Sequence, residues 1–245
     1  MKIYYDLHMH SCLSPCGDND MTPYNLVNMA AINGLQMIAL TDHNSCRNCK
    51  SAIEAGREAG ILVIPGMELC TSEEVHIVCL FPDLNSADAF NQYVETHTPP
   101  IPNRPDIFGN QFVMDAQDKI LETHDTLLVT ATDISIETVP KLIQSFSGAC
   151  FPAHIDRSSY SVISNLGSFP DHLGFTCAEV TKDGDIQALA EQNPILNSIP
   201  LFLDSDAHYL ENIYEAGAWI DLERFSPRAL IEAINSGTFL WNRGI

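Results

Sequence analysis

Basic side chains are scarce in this chain. Twelve Lys and Arg stand against 32 Asp and Glu over 245 residues, a formal net charge of −20. A surface of that sign repels phosphate backbones and acidic headgroups, which argues against nucleic acid and anionic membranes as partners. Long apolar runs are missing too: no stretch reaches the ~18 residues needed to cross a bilayer. The opening MKIYYDLHMH has one Lys and no apolar h-region, so no secretory signal is expected. Eight cysteines without such a signal point to reduced thiols and a cytoplasmic setting. No internal repeat, low-complexity tract or glycine fingerprint of a nucleotide fold is present. None of this speaks to oligomeric state.

What the chain does contain is a rhythm. Short apolar runs (KIYYDL, QMIAL, ILVIPGMEL, EEVHIVCLF, LLVTA, GACFPAHI, FTCAEVT, PLFLDSDAH and AWIDL) alternate with helical patterns. Thr22-Pro23 reads as an N-cap with Pro at N1 of a helix closed by Gly34. CKSAIEAGREAG, ETVPKLIQSF and SPRALIEAINSG read as further helices. Alternation of this kind predicts a parallel sheet with right-handed crossovers. An α/β barrel of about 250 residues fits one domain over 1–245. Residues 83–125, with THTPPIPNRPDIFGNQF, are too long for a barrel connection. They are read as an inserted lid or small subdomain, or else a surface excursion without a role.

Six of the nine histidines fall at strand tips: His8, His10, His43, His76, His154 and His208. His8 and His10 are two apart on a strand and share a face. A lone histidine on an apolar run is more often a core residue than a ligand. Here six alternate with Asp42, Glu68, Asp204 and Asp206. In a parallel barrel the C-terminal strand ends open on one face, so these groups are expected to converge on a multi-metal centre. His97, His124 and His172 lie outside the pattern and read as surface residues.

DLHMHS, TDHN, the Glu of IPGME, the His of EVHIVCLF, PAHIDR and SDAH resemble the signature of the PHP (polymerase and histidinol phosphatase) superfamily. The resemblance implies a distorted (β/α)7 TIM-like barrel with up to three divalent metals (Zn, Mn or Fe) and phosphoesterase activity. It implies that His8, His10, Glu68 and Asp206 hold one metal. Glu68 would bridge to a second, completed by His76 and His154, and His43 and His208 would hold the third. The family's further ligand to that third ion is absent from its usual place, where Pro15 and Cys16 stand. Asp18 is the leading substitute; Cys16 as a thiolate and a poorly occupied site are the alternatives. Arg157 matches the place of a phosphate-binding arginine in related phosphatases, and Arg104 in the insertion is a second substrate contact.

Clustered divalent ions make hydroxide available near neutral pH and offset charge on phosphate. Asp42 is read as orienting an adjacent imidazole. Asp42 or His208 would serve the leaving group and Arg157 the phosphate. The expected activity is hydrolysis of a small phosphorylated metabolite, such as a nucleotide or a sugar or amino-alcohol phosphate. The competing readings are an amidohydrolase-like hydrolase and a non-catalytic metal-binding domain. Cys12, Cys16, Cys46 and Cys49 could form a four-thiol metal site or a redox pair, or be ordinary thiols. Cys70, Cys79, Cys150 and Cys177 read as core.

Overall fold

Strands that are apolar on both faces need cover on both, and this chain meets that need by curling one sheet strongly into a half-barrel with helices outside. The structure is a computed structural model that describes residues 1–244. In chain order it runs β1 (Lys2–Met9), α1 (Pro23–Ile32), β2 (Met37–Leu40), α2 (Cys49–Ala59), β3 (Leu62–Cys70), β4 (His76–Leu80), α3 (Leu84–His97) and α4 (Pro105–Phe108). There follow β5 (Phe112–Met114), β6 (Ile120–Thr123), α5 (Val139–Ser145), β7 (Ala149–Pro152), α6 (Val162–Leu166), β8 (Ala178–Val180), α7 (Ile186–Gln192), β9 (Leu201–Leu203), β10 (Trp219–Asp221), α8 (Pro227–Ser236) and β11 (Trp241–Asn242). Local chemistry sets several boundaries. The Thr22 hydroxyl accepts from the Asn25 N–H to start α1, and Gly60 in the left-handed region ends α2. No helix among the described residues is long and apolar enough to cross a membrane.

The main sheet has the order β11-β10-β1-β2-β3-β4-β7, with β8 and β9 paired beside it. The β1–β2–β3 pairings are parallel, as predicted, but β3–β4, β4–β7, β1–β10 and β10–β11 are antiparallel. The reason at β3–β4 is the short turn between them, with Glu74 at φ 57°. A turn of that length cannot carry a crossover back to the starting end. Two hydrogen-bonded contacts continue the curl. The Ile155 N–H donates to the Glu179 carbonyl at 2.9 Å, and Met9 bridges Ala207 in parallel beyond β9.

Two sequence expectations change. LLVTA is no strand; just past the excursion, the Leu127 N–H donates instead to the Ile101 carbonyl within it at 2.8 Å. Of residues 83–125, the first third is the helix α3, whose Ala87, Phe90 and Val94 are buried in the main core. The remainder carries α4 and the separate β5–β6 hairpin. Gly109 fastens it to the loop after β1: a Cβ there would lie 2.1 Å from the Pro15 carbonyl oxygen, and φ is 100°.

One irregularity aims the histidines. Ile3, Tyr5 and Leu7 of β1 pack with Met37 and Ala39 of β2 in one cluster, whereas Met9 packs with Ile38 and Leu40 in the other. Odd-numbered residues therefore change face along β1, and the pairing with β2 shows a register shift between Asp6 and Met9. The bulge leaves His8 and His10 on the Leu7 side, where the curled sheet is concave.

Candidate metal centre

Each donor arrives from a different element. His8 and His10 lie at the end of β1, His43 lies just beyond β2, and Glu68 is on β3. His76 is the first residue of β4, which reaches this end of the sheet by its start because it is antiparallel. His154 follows β7, and Asp206 and His208 follow β9. His154 and Asp206 hold φ values of 30° and 49°, a left-handed backbone that non-glycine residues rarely adopt. The surrounding hydrogen bonds hold this strain where the donors converge.

Glu68 is the hub and is fully buried. Its Oε1 lies 2.8 Å from His76 Nδ1, 3.2 Å from His8 Nε2 and 3.3 Å from His154 Nε2. Its Oε2 lies 2.7 Å from His43 Nδ1. Asp206 Oδ1 is 3.0 Å from His10 Nε2 and 3.4 Å from His8 Nε2. Burial works to raise the Glu68 carboxyl, but His76, His8 and His43 outweigh it and hold it well below the usual range. Burial lowers the His8 imidazole, yet Glu179, Asp206 and Glu68 outweigh that and raise it.

These residues fit cations better than they fit one another. His43 Nδ1 and Glu68 Oε2 are close, yet the angles are not those of a hydrogen bond and both atoms are buried without a partner. Asp206 Oδ1 and His154 Nδ1 are also unpartnered, and the ring nitrogens of His8 and His10 face each other at 3.1 Å. Donors aimed at shared points rather than at each other are what a metal centre presents before its ions are counted. Three groups are tight enough to share an ion: His8, His10, Glu68 and Asp206; His43, Glu68 and His76; and His10, His43 and His208. His154 touches the second group through Glu68 without joining it.

The third group differs most from expectation. Asp18 is not among the residues close enough to share that ion, and its Oδ1 accepts from the Asp20 N–H at 2.8 Å. Cys16 of the same loop is not in the group either, although His43 and His208 act on its thiol. What burial it has pushes the thiol up, but those two imidazoles outweigh it and bring it down to about 6. The other thiols do not gather. Cys12 lies against Met114 and Phe112, while Cys46 and Cys49 both meet the Gly66 carbonyl, so no four-thiol site forms.

Asp42 is buried, and its oxygens accept from the Ser11 N–H and hydroxyl and from the Ser14 hydroxyl. Ser14 in turn meets His10 Nδ1 at 2.9 Å, so Asp42 reaches an imidazole through Ser14 rather than by contact. Arg157 donates to Asp206 Oδ2 at 2.5 Å from the rim. Arg104 pairs with Asp106 in an exposed bridge away from the cluster. His97, His124 and His172 pair with Asp133, Glu122 and Glu137 outside it.

The residue missing from the sequence reading is Glu179 on β8. Its Oε2 accepts from His8 Nδ1–H at 2.7 Å and its Oε1 from the His154 N–H at 3.2 Å. A single carboxylate inside the apolar run FTCAEVT was the available signal, since Glu is almost never fully buried unpaired. Beside the cluster, a cavity of about 630 Å³ is lined by Arg157, Lys182 and Tyr214 among others.

The model of the PHP domain matches residues 6–161. A 5'-3' exoribonuclease of Haemophilus influenzae is 39% identical over 79 residues, covering 31% of this chain and 28% of that protein. Among solved structures, the lesion-specific endonuclease PfuEndoQ of Pyrococcus furiosus aligns with a TM-score of 0.68 at 17% identity, over 96% of this chain and 56% of the other. Endonuclease Q in complex with a 27-mer duplex substrate with an abasic lesion aligns at 0.67 and 16% identity, over 96% and 57%. A putative metal-dependent phosphoesterase of Bifidobacterium adolescentis aligns at 0.63 and 16% identity, over 95% and 96%. This chain thus spans little more than half of the endonuclease chains, and its match covers less than a third of the exoribonuclease. Relatives that process nucleic acid overturn the expectation of no nucleic-acid partner and a small substrate only. That expectation took net charge as a whole-surface quantity, but screening over about 8–10 Å makes phosphate recognition local, and cations at a site invert its sign.

Proposed function

Because the chain belongs to the PHP domain family, we propose that it is a metal-dependent hydrolase of phosphoester bonds acting on nucleic acid or its oligonucleotide fragments. The observation that carries this is the convergence of five imidazoles with Glu68 and Asp206 in three groups each able to share a cation. The relatives named above supply the substrate class. In the finer reading, β1, β2, β3, β4, β7, β8 and β9 are the seven positions of a distorted barrel forming one domain over 1–245. The excursion after α3 is its lid, and the setting is cytoplasmic. Two or three Zn, Mn or Fe ions are assigned to His8, His10, Glu68 and Asp206, to Glu68 with His76 and His154, and to His43 with His208.

Such ions, when bound, supply hydroxide near neutral pH and offset charge on the phosphate. The chain's residues do the rest. Glu179 fixes the tautomer of His8 so that Nε2 faces the centre, and Asp42 does the same for His10 through Ser14. His208 Nδ1–H donates to the Asp206 carbonyl at 2.8 Å, which leaves Nε2 an acceptor suited to a cation rather than a proton donor. Arg157 offers a planar fork to a phosphate oxygen at the rim. Lys182, with its ammonium 5.9 Å from the Tyr214 ring centroid, lines the neighbouring cavity where the adjoining nucleotide would lie.

The test is a chelator-stripped preparation given Mn, Fe or Zn and a 5'-phosphorylated oligonucleotide beside a panel of phosphorylated metabolites. Nucleotide release that falls by about 10²-fold or more in Glu68→Gln is the expected result, given what removal of an electrostatic group costs. Absence of phosphoester cleavage with every metal and substrate would refute the assignment.

A further inference from the structure

We propose that the ring of Tyr160, stacked on the His76 imidazole at the rim of the centre, carries a nucleobase of the oligonucleotide substrate, beside the phosphate that Arg157 meets. The proposal rests on the nucleic-acid reading above and names the residue that would tell a nucleotide from other phosphoesters. Residues 157–160 follow β7 and are all exposed. The two ends of this run are fixed on different groups of donors. At one end the Arg157 guanidinium meets Asp206 Oδ2 at 2.5 Å. At the other the Tyr160 ring lies over His76, with centroids 4.6 Å apart and planes 23° from parallel. Asp206 belongs to the group with His8, His10 and Glu68, and His76 to the group with His43 and Glu68. A phosphoester bound across the two groups therefore has a cationic fork at one end of the rim and an aromatic ring at the other.

The backbone keeps the ring there under strain. Tyr160 has φ 55°, a left-handed conformation in which a bulky side chain is an outlier. Several hydrogen bonds hold it. The Tyr160 carbonyl accepts from the His76 N–H at 2.9 Å. The Ser161 hydroxyl donates to the Arg157 carbonyl at 2.8 Å and accepts from the Ser164 N–H at 3.1 Å, at the start of α6. Asn165 then ties that helix to the turn before β4, donating to the carbonyls of Glu73 and Glu74 at 2.9 and 2.8 Å. Core packing does not repay the strain, because Tyr160 is 43% exposed. A strained, exposed aromatic pinned on a donor of the centre fits recognition better than folding. Every base has a π-face, so such a ring selects nucleotides without selecting sequence.

Two 5'-phosphorylated oligonucleotides carry the test, alike except that one lacks the bases flanking the cleaved bond. Tyr160→Leu keeps bulk over His76 but removes the ring. It should raise KM for the intact oligonucleotide about tenfold, leaving KM for the abasic one and kcat for both within about twofold. Tyr160→Trp should restore the intact KM. On metal-loaded protein, a 2-aminopurine base at the same place in a cleavage-resistant phosphorothioate oligonucleotide should be quenched by the wild type and not by Tyr160→Leu. KM for the intact oligonucleotide unchanged, or raised equally for both, would overturn the proposal and leave phosphoester cleavage standing. Quenching that depends on the ring, without cleavage, would refute the hydrolase reading alone. A wild type that neither cleaves nor quenches with any metal overturns both.

Discussion

Glu179 has both carboxylate oxygens in use, one on His8 Nδ1–H and one on the His154 N–H, inside a strand of otherwise buried apolar residues. Replacing it with Gln keeps the volume but turns an NH₂ toward one of two donors, so either His8 or the His154 backbone loses its acceptor. Outer partners of this kind typically cost 10–100-fold in metal affinity when lost, and about that loss is expected for Glu179→Gln by calorimetric titration. Undiminished affinity would mean the carboxylate only fills space. The same scale holds a second buried carboxylate group. Burial, with Glu179 and Asp6 nearby, pushes Asp204 well up, and burial pushes Asp6 up to about 6. Asp204 Oδ1 accepts from the Leu7 N–H at 2.6 Å, which makes it a support of β1 rather than a donor to the centre.

At the scale of elements, the turn between β3 and β4 decides that His76 arrives at the site by the start of its strand. Glu73 secures that turn, accepting from the Ser135 hydroxyl at 2.6 Å and the Ile136 N–H at 2.9 Å. Burial works to raise its carboxyl, but Ser135 and Ile136 outweigh that and lower it. A lowered carboxylate stabilises the fold above its unfolded value of 4.5 and loses that contribution as pH falls through its lower folded value. Glu73→Gln should therefore cost about 1 kcal/mol or less at pH 7, allowing for solvent screening of a half-exposed group. The gap between the two urea midpoints should shrink below about pH 4. A gap that does not change with pH would exclude the charged acceptor as its source. The helix ends were legible beforehand because caps act over a few residues: Thr22 with Pro23 starts α1, and Gly34, in the left-handed region at φ 78°, stands just past its end. The β5–β6 hairpin and the loss of LLVTA as a strand were not, because each depends on a distant partner.

For the whole molecule, a net charge of −20 and a buried carboxylate–imidazole centre make two separable electrostatic demands. Salt screens the first, and ions in the centre answer the second. The stripped protein should melt higher as NaCl rises, in the wild type and in His8→Ala alike. Divalent metal at 100 times its Kd should add about 2.7 kcal/mol to the wild type by mass action alone. His8→Ala should lose most of that second gain while keeping the first, as read by calorimetry at fixed ionic strength. Full metal stabilisation in the variant would place the ions elsewhere.

The sequence by itself singled out most of the imidazoles and carboxylates that the fold brings together, because such side chains at strand tips and capping residues at helix ends are local patterns. The α/β class and the PHP membership were legible there too. Only the tertiary structure decided how the pieces meet. The bulge in β1 turns His8 and His10 to the concave side, the reversed β4 presents His76, and Glu179 arrives behind His8. Register, strand direction and loop closure each depend on contacts between residues far apart in the chain, and no local pattern encodes them.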